Sequence, residues 1–199
     1  MRSRDCEVRH MDEIKNVFDQ ALFLADELSA RSIPYAIGGA LAYGLWSEPR
    51  ATKDIDVNVF VPLAELPRVF DALRSLSANF DEARARHEAL EQGMFIAHLA
   101  GYRVDVFIPS IDFSWEAHRT AREQTIRGHP YRFLSPEALA VFKLLFFRPK
   151  DLLDLEKLVF VQGTALDVEY VRRKMVEMMG EDDERTKAWD RIVSDYAKP

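Results

Sequence analysis

The stretch Asp54-Ile55-Asp56-Val57-Asn58-Val59-Phe60-Val61 decides how this chain folds. Polar and apolar side chains alternate along it, a pattern that predicts a β-strand with one dry face. Side chains two residues apart on a strand point the same way, so Asp54 and Asp56 should project side by side. Neighbouring carboxylates repel each other unless a cation lies between them. Mg²⁺ prefers oxygen ligands, so a divalent metal is the natural candidate.

A double glycine, Gly38-Gly39, precedes this strand. It lies between a short apolar run at 35–37, which predicts a buried strand, and residues 40–46, which can form two turns of helix. The free N–H groups at such a strand-to-helix junction favour an anion. Glycine also lets the backbone come close to a ligand, because no Cβ intervenes. The alternative is a tight turn that needs positive φ, and the two interpretations are compatible.

Two further strand-like runs, 94–99 and 102–108, follow later in the chain. Ala100-Gly101 between them predicts a tight hairpin. In the second run Asp105 shares a face with Arg103 and Phe107. Asp105 is therefore a candidate third metal ligand beside the two earlier aspartates. The alternative is a hairpin charge that is paired with Arg103.

The rest of the chain is mostly helical by its hydrophobic periodicity. Residues 79–91 are ambiguous, and 124–126 with 131–134 predict another hairpin. The predicted helices are 11–31, 62–77, 113–121, 138–147, 150–161, 164–180 and 182–197. The sequence thus predicts an α+β fold, with a small mixed β-sheet core flanked by helices and a helical C-terminal part. We expect the domains to be 1–134 and 135–199.

Lys143 is the only charged residue in the apolar body of the helix at 138–147. A lysine in such a helix needs a partner or a purpose, unless it extends its amine to solvent. Asp151 and Asp154 lie three residues apart in the following helix. They either serve a function or simply favour the helix N-terminus.

Composition limits the possible functions. The 199 residues carry a net charge of −6, which argues against nonspecific coating of nucleic acid. Cys6 is the only cysteine, so an internal disulfide is excluded. No apolar run of about 18 residues predicts a membrane span, and the N-terminus lacks an apolar signal region, so we expect a cytoplasmic protein.

Two other sets of residues give weaker signals. The five histidines lack the spacing of metal ligands and are assigned no role. A basic run with interleaved aromatic residues predicts a solvated face or, as the alternative, a patch that contacts RNA. That run consists of Arg119, Arg122, Arg127, Tyr131, Arg132 and Phe133.

The order Gly38-Gly39, then Arg50-Ala51-Thr52-Lys53-Asp54-Ile55-Asp56, then Asp105 resembles the DNA polymerase beta-like nucleotidyltransferase superfamily. The Arg-x-Thr before Asp-x-Asp looks like the small bacterial branch that contains AbiEii-type abortive-infection toxins. Lys143, followed by the cluster Arg148-Pro149-Lys150-Asp151 and by Asp154, is similar to the downstream motifs of that branch. The resemblance covers roughly residues 33–160. The chain departs from it at Gly39, where a serine would offer a hydroxyl to phosphate.

The resemblance implies an Mg²⁺-dependent nucleotidyltransferase that uses two metal ions and a nucleoside triphosphate (NTP). Asp54 and Asp56 would hold the Mg²⁺ that bridges the phosphates. Asp105 would help to bind a second ion or act as a base toward the acceptor hydroxyl. The glycine turn would hold the triphosphate. Residues implied in supporting roles are Lys143, Arg50 and Lys53 as cations, Thr52 orienting Asp54, and Asp151 or Asp154 holding Lys143 or the acceptor.

The acceptor implied by the resemblance is RNA, a protein or a small hydroxyl compound. The AbiEii-type branch favours a toxin of a toxin–antitoxin system, with an antitoxin protein as a partner. An antibiotic adenylyltransferase of the aminoglycoside or lincosamide type is the alternative within the enzymes. A non-catalytic nucleotide-binding module of the same fold is the alternative outside them.

Overall fold

The computed structural model describes residues 16–197. Contacts divide the chain into two compact units. Unit 1 consists of the chain up to Ile37 together with Thr52–Ile111, and unit 2 consists of Gly38–Ala51 and the chain from Asp112 onward. The predicted division into domains after residue 134 stays a prediction.

Unit 1 is built on a mixed sheet of strands β1 (Tyr35–Ile37), β2 (Asp54–Val59), β3 (Met94–Leu99) and β4 (Tyr102–Phe107). Their spatial order is β3-β4-β2-β1. The pairs β1–β2 and β3–β4 are antiparallel, whereas β2–β4 is parallel. The predicted mixed sheet is therefore confirmed.

Alternation explains why these segments form strands with one buried face. The apolar residues of β2 and β4 lie in the core, with exposed fractions of at most 2%; they are Ile55, Val57, Val59, Val104 and Val106. Each strand ends slightly earlier than predicted, although antiparallel hydrogen bonding continues for one more residue: Phe60 N–H donates to Pro34 O, and Ile108 N–H donates to Gly93 O. Ala100 and Gly101 both have positive φ, as a two-residue hairpin turn requires.

Among the described residues of unit 1, three segments are α-helices. They are α1 (Val17–Ala30), α3 (Leu66–Ser75) and α4 (Glu82–Gln92). The predicted start of α1 at residues 11–15 lies outside the described residues. Helix α4 was ambiguous in the sequence because its buried positions are alanines, Ala85 and Ala89, rather than large apolar residues. Its ends are nevertheless well marked, since the side chain of Asp81 accepts from Arg84 N–H and Gly93 adopts a left-handed conformation.

Unit 2 contains α2 (Gly39–Trp46), the antiparallel hairpin of β5 (Arg122–Ile126) and β6 (His129–Phe133), and five further helices. Those helices are α5 (Asp112–Thr120), α6 (Pro136–Phe146), α7 (Pro149–Gln162), α8 (Val168–Met179) and α9 (Glu184–Tyr196). The predicted helical C-terminal part is therefore confirmed. None of the helices that the structure describes is long and apolar enough to cross a bilayer.

Helix α2 is held within unit 2 by its last residue. Trp46 Nε1–H donates to Leu134 O at 2.8 Å, and Trp46 O accepts from Gln162 Nε2 at 2.5 Å. The guanidinium of Arg122 lies 5.6 Å from the centre of the Trp46 ring. These contacts connect the short helix to β5, to the residue after β6 and to α7, and they stabilise a helix of eight residues that would be marginal in isolation.

Candidate functional site

Three aspartates of unit 1 share one face of the sheet, and we call them the carboxylate cluster: Asp54, Asp56 and Asp105. In the parallel pairing of β2 with β4, Asp56 lies directly opposite Asp105. Asp54 is two residues before Asp56 and so points to the same face. Their strand neighbours on the other face are buried, whereas Asp54 is exposed and the other two are half-buried. The predicted convergence of two strands is thus present in the backbone register, while the role of these residues as metal ligands stays a prediction.

Thr52 fixes the start of β2. Its hydroxyl oxygen accepts from Asp54 N–H at 3.1 Å, and the same hydroxyl donates to Asp54 O at 3.2 Å. The resemblance implies that Thr52 orients Asp54, and in the structure Thr52 contacts the backbone of Asp54 through these two hydrogen bonds. Lys53 is exposed beside it.

Arg103 contacts the carboxylate cluster from β4. Its Nε–H donates to Asp105 Oδ1 at 2.7 Å, so the pairing considered as an alternative for Asp105 is present. The hydrogen bond with Asp105 raises the pKa of Arg103, and the charges of Asp105, Asp54 and Asp56 raise it further against the effect of burial. All three carboxylates therefore act on this one guanidinium. Sequence reasoning missed Arg103 as a site residue, although its position two residues from Asp105 placed it on the same face.

The carboxylate cluster has the donor chemistry for Mg²⁺, because it offers only carboxylate oxygens. Within residues 16–197, no three His, Cys, Asp or Glu side chains stand together as a ready metal cage in their present arrangement. The hydrogen bond from Arg103 occupies an oxygen of Asp105 in that arrangement. The residues therefore offer the donor atoms that the metal prefers, on two strands that pair side by side, and their role as its ligands stays a prediction.

A second group of charges lies in unit 2, and we call it the buried ion cluster: Lys143, Asp151 and Asp154. Lys143 Nζ lies 2.5 Å from Asp154 Oδ2 and 3.7 Å from Asp151 Oδ1. The side chain of Lys143 is only 8% exposed, so it does not extend its amine to solvent. The sequence left open which aspartate holds Lys143, and the structure shows that both contact it.

Two arginines border the buried ion cluster. Arg148 Nε donates to Asp151 Oδ2 at 2.6 Å, and Arg50 Nη2 lies 3.4 Å from Asp154 Oδ2. Burial alone would raise the pKa of Asp151, but the hydrogen bonds and charge of Arg148 and the charge of Lys143 hold that pKa below its ordinary value. Lys143 Nζ also lies 5.1 Å from the centre of the Tyr43 ring. The cluster therefore connects α2, α6 and α7 inside unit 2.

The glycine turn has the backbone that the sequence suggested. Gly38 is extended, and Gly39 has φ +51°, in the left-handed region that favours glycine. A serine at position 39 would be strained in that conformation, which gives a local reason for the departure from the family pattern. The predicted contact of this turn with a triphosphate stays a prediction.

The basic run of unit 2 has structural partners. Arg122 Nη2 donates to both carboxylate oxygens of Glu137 at 3.0 Å. Arg132 Nη2 donates to the carbonyls of His118 and Ala121 at 3.2 Å. These two arginines stabilise the hairpin and its flanking helices, which weakens the alternative of an RNA patch.

The chain resembles solved structures of other proteins, but it matches no known family or curated protein in sequence. No model of a known protein family matches the chain, and no curated protein matches it. Structural neighbours of the chain are nucleotidyltransferases. Among them is ANT(2'')-Ia in complex with adenylyl-2''-tobramycin, at 20% identity and a TM-score of 0.47, with 89% of this chain and 95% of that chain covered.

Two other neighbours show the same level of likeness. The lincosamide antibiotic adenylyltransferase LnuA with lincomycin bound is 15% identical with a TM-score of 0.49, covering 72% of this chain and 98% of that one. An antigenic nucleotidyltransferase-like protein from Paracoccidioides brasiliensis is 17% identical with a TM-score of 0.44, covering 85% and 90%. All three TM-scores are below 0.5, so these likenesses assign neither a family nor an activity to this chain.

Proposed function

We propose that this protein is an Mg²⁺-dependent nucleotidyltransferase that moves a nucleoside monophosphate from an NTP to an acceptor hydroxyl and releases pyrophosphate. One observation carries the proposal: the parallel register that places Asp56 opposite Asp105, with Asp54 on the same face. Like charges opposite each other on a sheet are destabilising, so a divalent cation between Asp56 and Asp105 would stabilise this pairing.

In this mechanism Asp54, Asp56 and Asp105 would hold the divalent metal. The metal, when bound, supplies charge neutralisation for the phosphates and activation of the acceptor hydroxyl. Thr52 keeps the first of these residues in place through its hydrogen bonds to the backbone of Asp54. Asp105, the half-buried member on β4, is the proposed acceptor of the hydroxyl proton.

The reaction itself is an in-line substitution at the α-phosphorus. The acceptor oxygen forms a bond to that phosphorus, its proton goes to Asp105, and the bond from the α-phosphorus to the bridging oxygen breaks. The electron pair of that bond leaves with pyrophosphate. Catalysis of this kind depends on positioning and on neutralising charge more than on covalent chemistry by the protein.

Lys143, Arg50 and Lys53 are the proposed sources of positive charge for the triphosphate. Arg50 is the more accessible of the two in unit 2, with 40% of its side chain exposed against 8% for Lys143. Lys143 is also held by two carboxylates. Of the two cations of unit 2, Arg50 is therefore the one that is accessible to a phosphate group.

The acceptor class separates the remaining alternatives. An RNA or protein acceptor would fit a toxin that an antitoxin protein restrains, and an aminoglycoside or lincosamide acceptor would fit an antibiotic adenylyltransferase. The charges of unit 2 do not choose between them, because Arg122 and Arg132 are already bound to partners within the unit.

Labelled NTP tests the proposal. The protein is incubated with each of the four NTPs carrying the label at the α- or γ-phosphate, with Mg²⁺, and with total RNA, protein extract or antibiotics in separate reactions. We expect the α-label to reach one acceptor and the γ-label to appear in pyrophosphate. Transfer that is unchanged in Asp54→Asn, or release of the γ-label as free phosphate, would contradict the proposal.

A further inference from the structure

Arg103 stands out because it is a cation placed where the proposed function needs a metal. It lies on β4, opposite Asp54 in the register and two residues before Asp105, on the face of the carboxylate cluster. Its Nε–H donates to Asp105 Oδ1 at 2.7 Å. Its side chain is 46% exposed, whereas that of Asp105 is 16% exposed.

The strand register places Arg103 among the members of the carboxylate cluster. Arg103 lies directly opposite Asp54, Asp56 lies directly opposite Asp105, and the guanidinium donates to Asp105. Three carboxylates on one sheet face repel each other, and this repulsion would weaken the pairing of β2 with β4 in the absence of a cation. Arg103 supplies that cation from the strand itself.

A divalent metal that is coordinated by Asp105 Oδ1 would compete with the hydrogen bond that this oxygen accepts from Arg103. Guanidinium has donors only and cannot coordinate a metal, and its positive charge would repel the ion. The half-exposed side chain has a long flexible stem, and exposed ion pairs are weak enough to exchange. The arginine therefore can leave while the backbone of β4 stays in place.

We propose that Arg103 is an exchangeable counterion, which holds the carboxylate cluster together in the metal-free protein and is displaced when the divalent cation binds. This inference rests on the proposed function, since it needs the cluster to bind a metal. It predicts two effects of opposite sign. Removing Arg103 strengthens metal binding and, at the same time, destabilises the metal-free protein.

Mn²⁺ binding without nucleotide tests the first effect, followed by calorimetry or by the paramagnetic resonance signal of free Mn²⁺. Wild type is compared with Arg103→Gln and with Arg84→Gln, a matched control whose arginine pairs with Glu88 on α4 of the same unit. We expect Arg103→Gln to bind Mn²⁺ about fivefold more tightly than wild type, the scale of an exposed ion pair. Arg84→Gln should bind as wild type does.

Thermal unfolding tests the second effect with the same proteins. In chelator, Arg103→Gln should melt roughly 2–4 °C below wild type, and saturating Mn²⁺ should close this gap. The double variant Arg103→Gln/Asp105→Asn should lose less than Arg103→Gln alone, because one repelling carboxylate has been neutralised.

The outcomes separate this inference from the proposed function. Equal or weaker Mn²⁺ binding by Arg103→Gln, with clear binding by wild type, overturns the role of Arg103 and leaves the metal site intact. Equal tightening by Arg84→Gln also overturns it, since the cause would be net charge. Absence of Mn²⁺ binding from both wild type and Arg103→Gln overturns the exchange, because Arg103 would then have no metal to make way for; the transfer of label from NTP tests the proposed function separately.

Discussion

The two charged clusters of this protein differ in how far their cations are exposed to solvent. In the carboxylate cluster of unit 1, Arg103 pairs with Asp105, and the arginine side chain is nearly half exposed. The buried ion cluster of unit 2 encloses Lys143 between two aspartates and adds Arg50 and Arg148 at its edge. The first cluster has a cation that reaches solvent, whereas the cation at the centre of the second is buried.

The difference indicates where a ligand can enter. Removing one partner of a buried ion pair leaves an uncompensated charge and is strongly destabilising, so the buried ion cluster is suited to holding helices together. An exposed pair contributes little, so the carboxylate cluster can exchange its cation. This contrast in exposure supports the proposal that a divalent metal binds at the carboxylate cluster and not at the buried ion cluster.

The largest effect should come from the acids of the carboxylate cluster. Asp56→Asn should reduce nucleotidyl transfer by roughly 10³-fold, comparable to the loss of one group that stabilises charge in a transition state. Asp71→Asn is the control, because this exposed acid pairs with Arg74 away from the cluster. Steady-state rates with labelled NTP measure both variants. Similar transfer rates for Asp56→Asn and Asp71→Asn would contradict the assigned difference between the clusters, because Asp56 would then matter no more for transfer than an exposed acid elsewhere in unit 1.

Lys143→Met should have the next largest effect, on stability. It leaves Asp154 and Asp151 buried without their shared ammonium, at a cost of about 3 kcal/mol in the free energy of unfolding. Lys157→Met is the matched control, because Lys157 forms an exposed pair with Glu48 in the same unit, and we expect it to change stability little. Urea unfolding of both variants checks this. A small loss for Lys143→Met would mean that the ammonium is not needed inside unit 2.

Removing one acid from each cluster should change stability in opposite directions. Asp154→Asn should cost about 2 kcal/mol, because a buried cation loses its closest partner. Asp54→Asn should stabilise the metal-free protein by roughly 0.5 kcal/mol, because it relieves repulsion between like charges on one sheet face. Chemical denaturation in chelator measures both. Loss of stability in both variants would contradict the repulsion between carboxylates that we assign to the carboxylate cluster.

The smallest predicted effect concerns pH. The pKa of Asp151 is held below its ordinary value in the folded protein, so its contribution to stability is complete above about pH 4 and is lost as the pH falls through the lowered pKa. Asp151→Asn should therefore flatten the decline of unfolding free energy below that pH, and Arg148→Met should flatten it in part. Parallel pH curves for wild type and Asp151→Asn would show that Asp151 does not contribute in this way.

Much of unit 1 could be predicted from the sequence because its signals are local. The alternation of Asp54–Val59 gave the strand and the shared face of Asp54 and Asp56, since both follow from the period of two. The register that sets Asp56 against Asp105 was not available, because residues 49 positions apart meet only through the pairing of β2 with β4. Helix α4 was ambiguous because alanines give a weak hydrophobic pattern.

The buried ion cluster shows the same limit in another form. Because Lys143 is the only charged residue in an apolar helix, the sequence predicts that it needs a partner. Asp151 and Asp154 in the next helix are the candidates. The choice between Asp151 and Asp154 depended on how α6 packs against α7, and in the folded unit the lysine contacts both. The hydrogen bonds of Arg122 and Arg132 likewise arise from packing that a basic run does not encode.

Mn²⁺ binding in the presence of a nonhydrolysable NTP analogue tests the central claim most directly, because it asks whether the carboxylate cluster is the cation site. The account predicts that wild type and Asp71→Asn bind Mn²⁺ alike. It predicts that Asp56→Asn binds at least roughly 100-fold more weakly, since even the partners of metal ligands contribute about 10–100-fold. Binding by Asp56→Asn that equals the wild type would contradict the account.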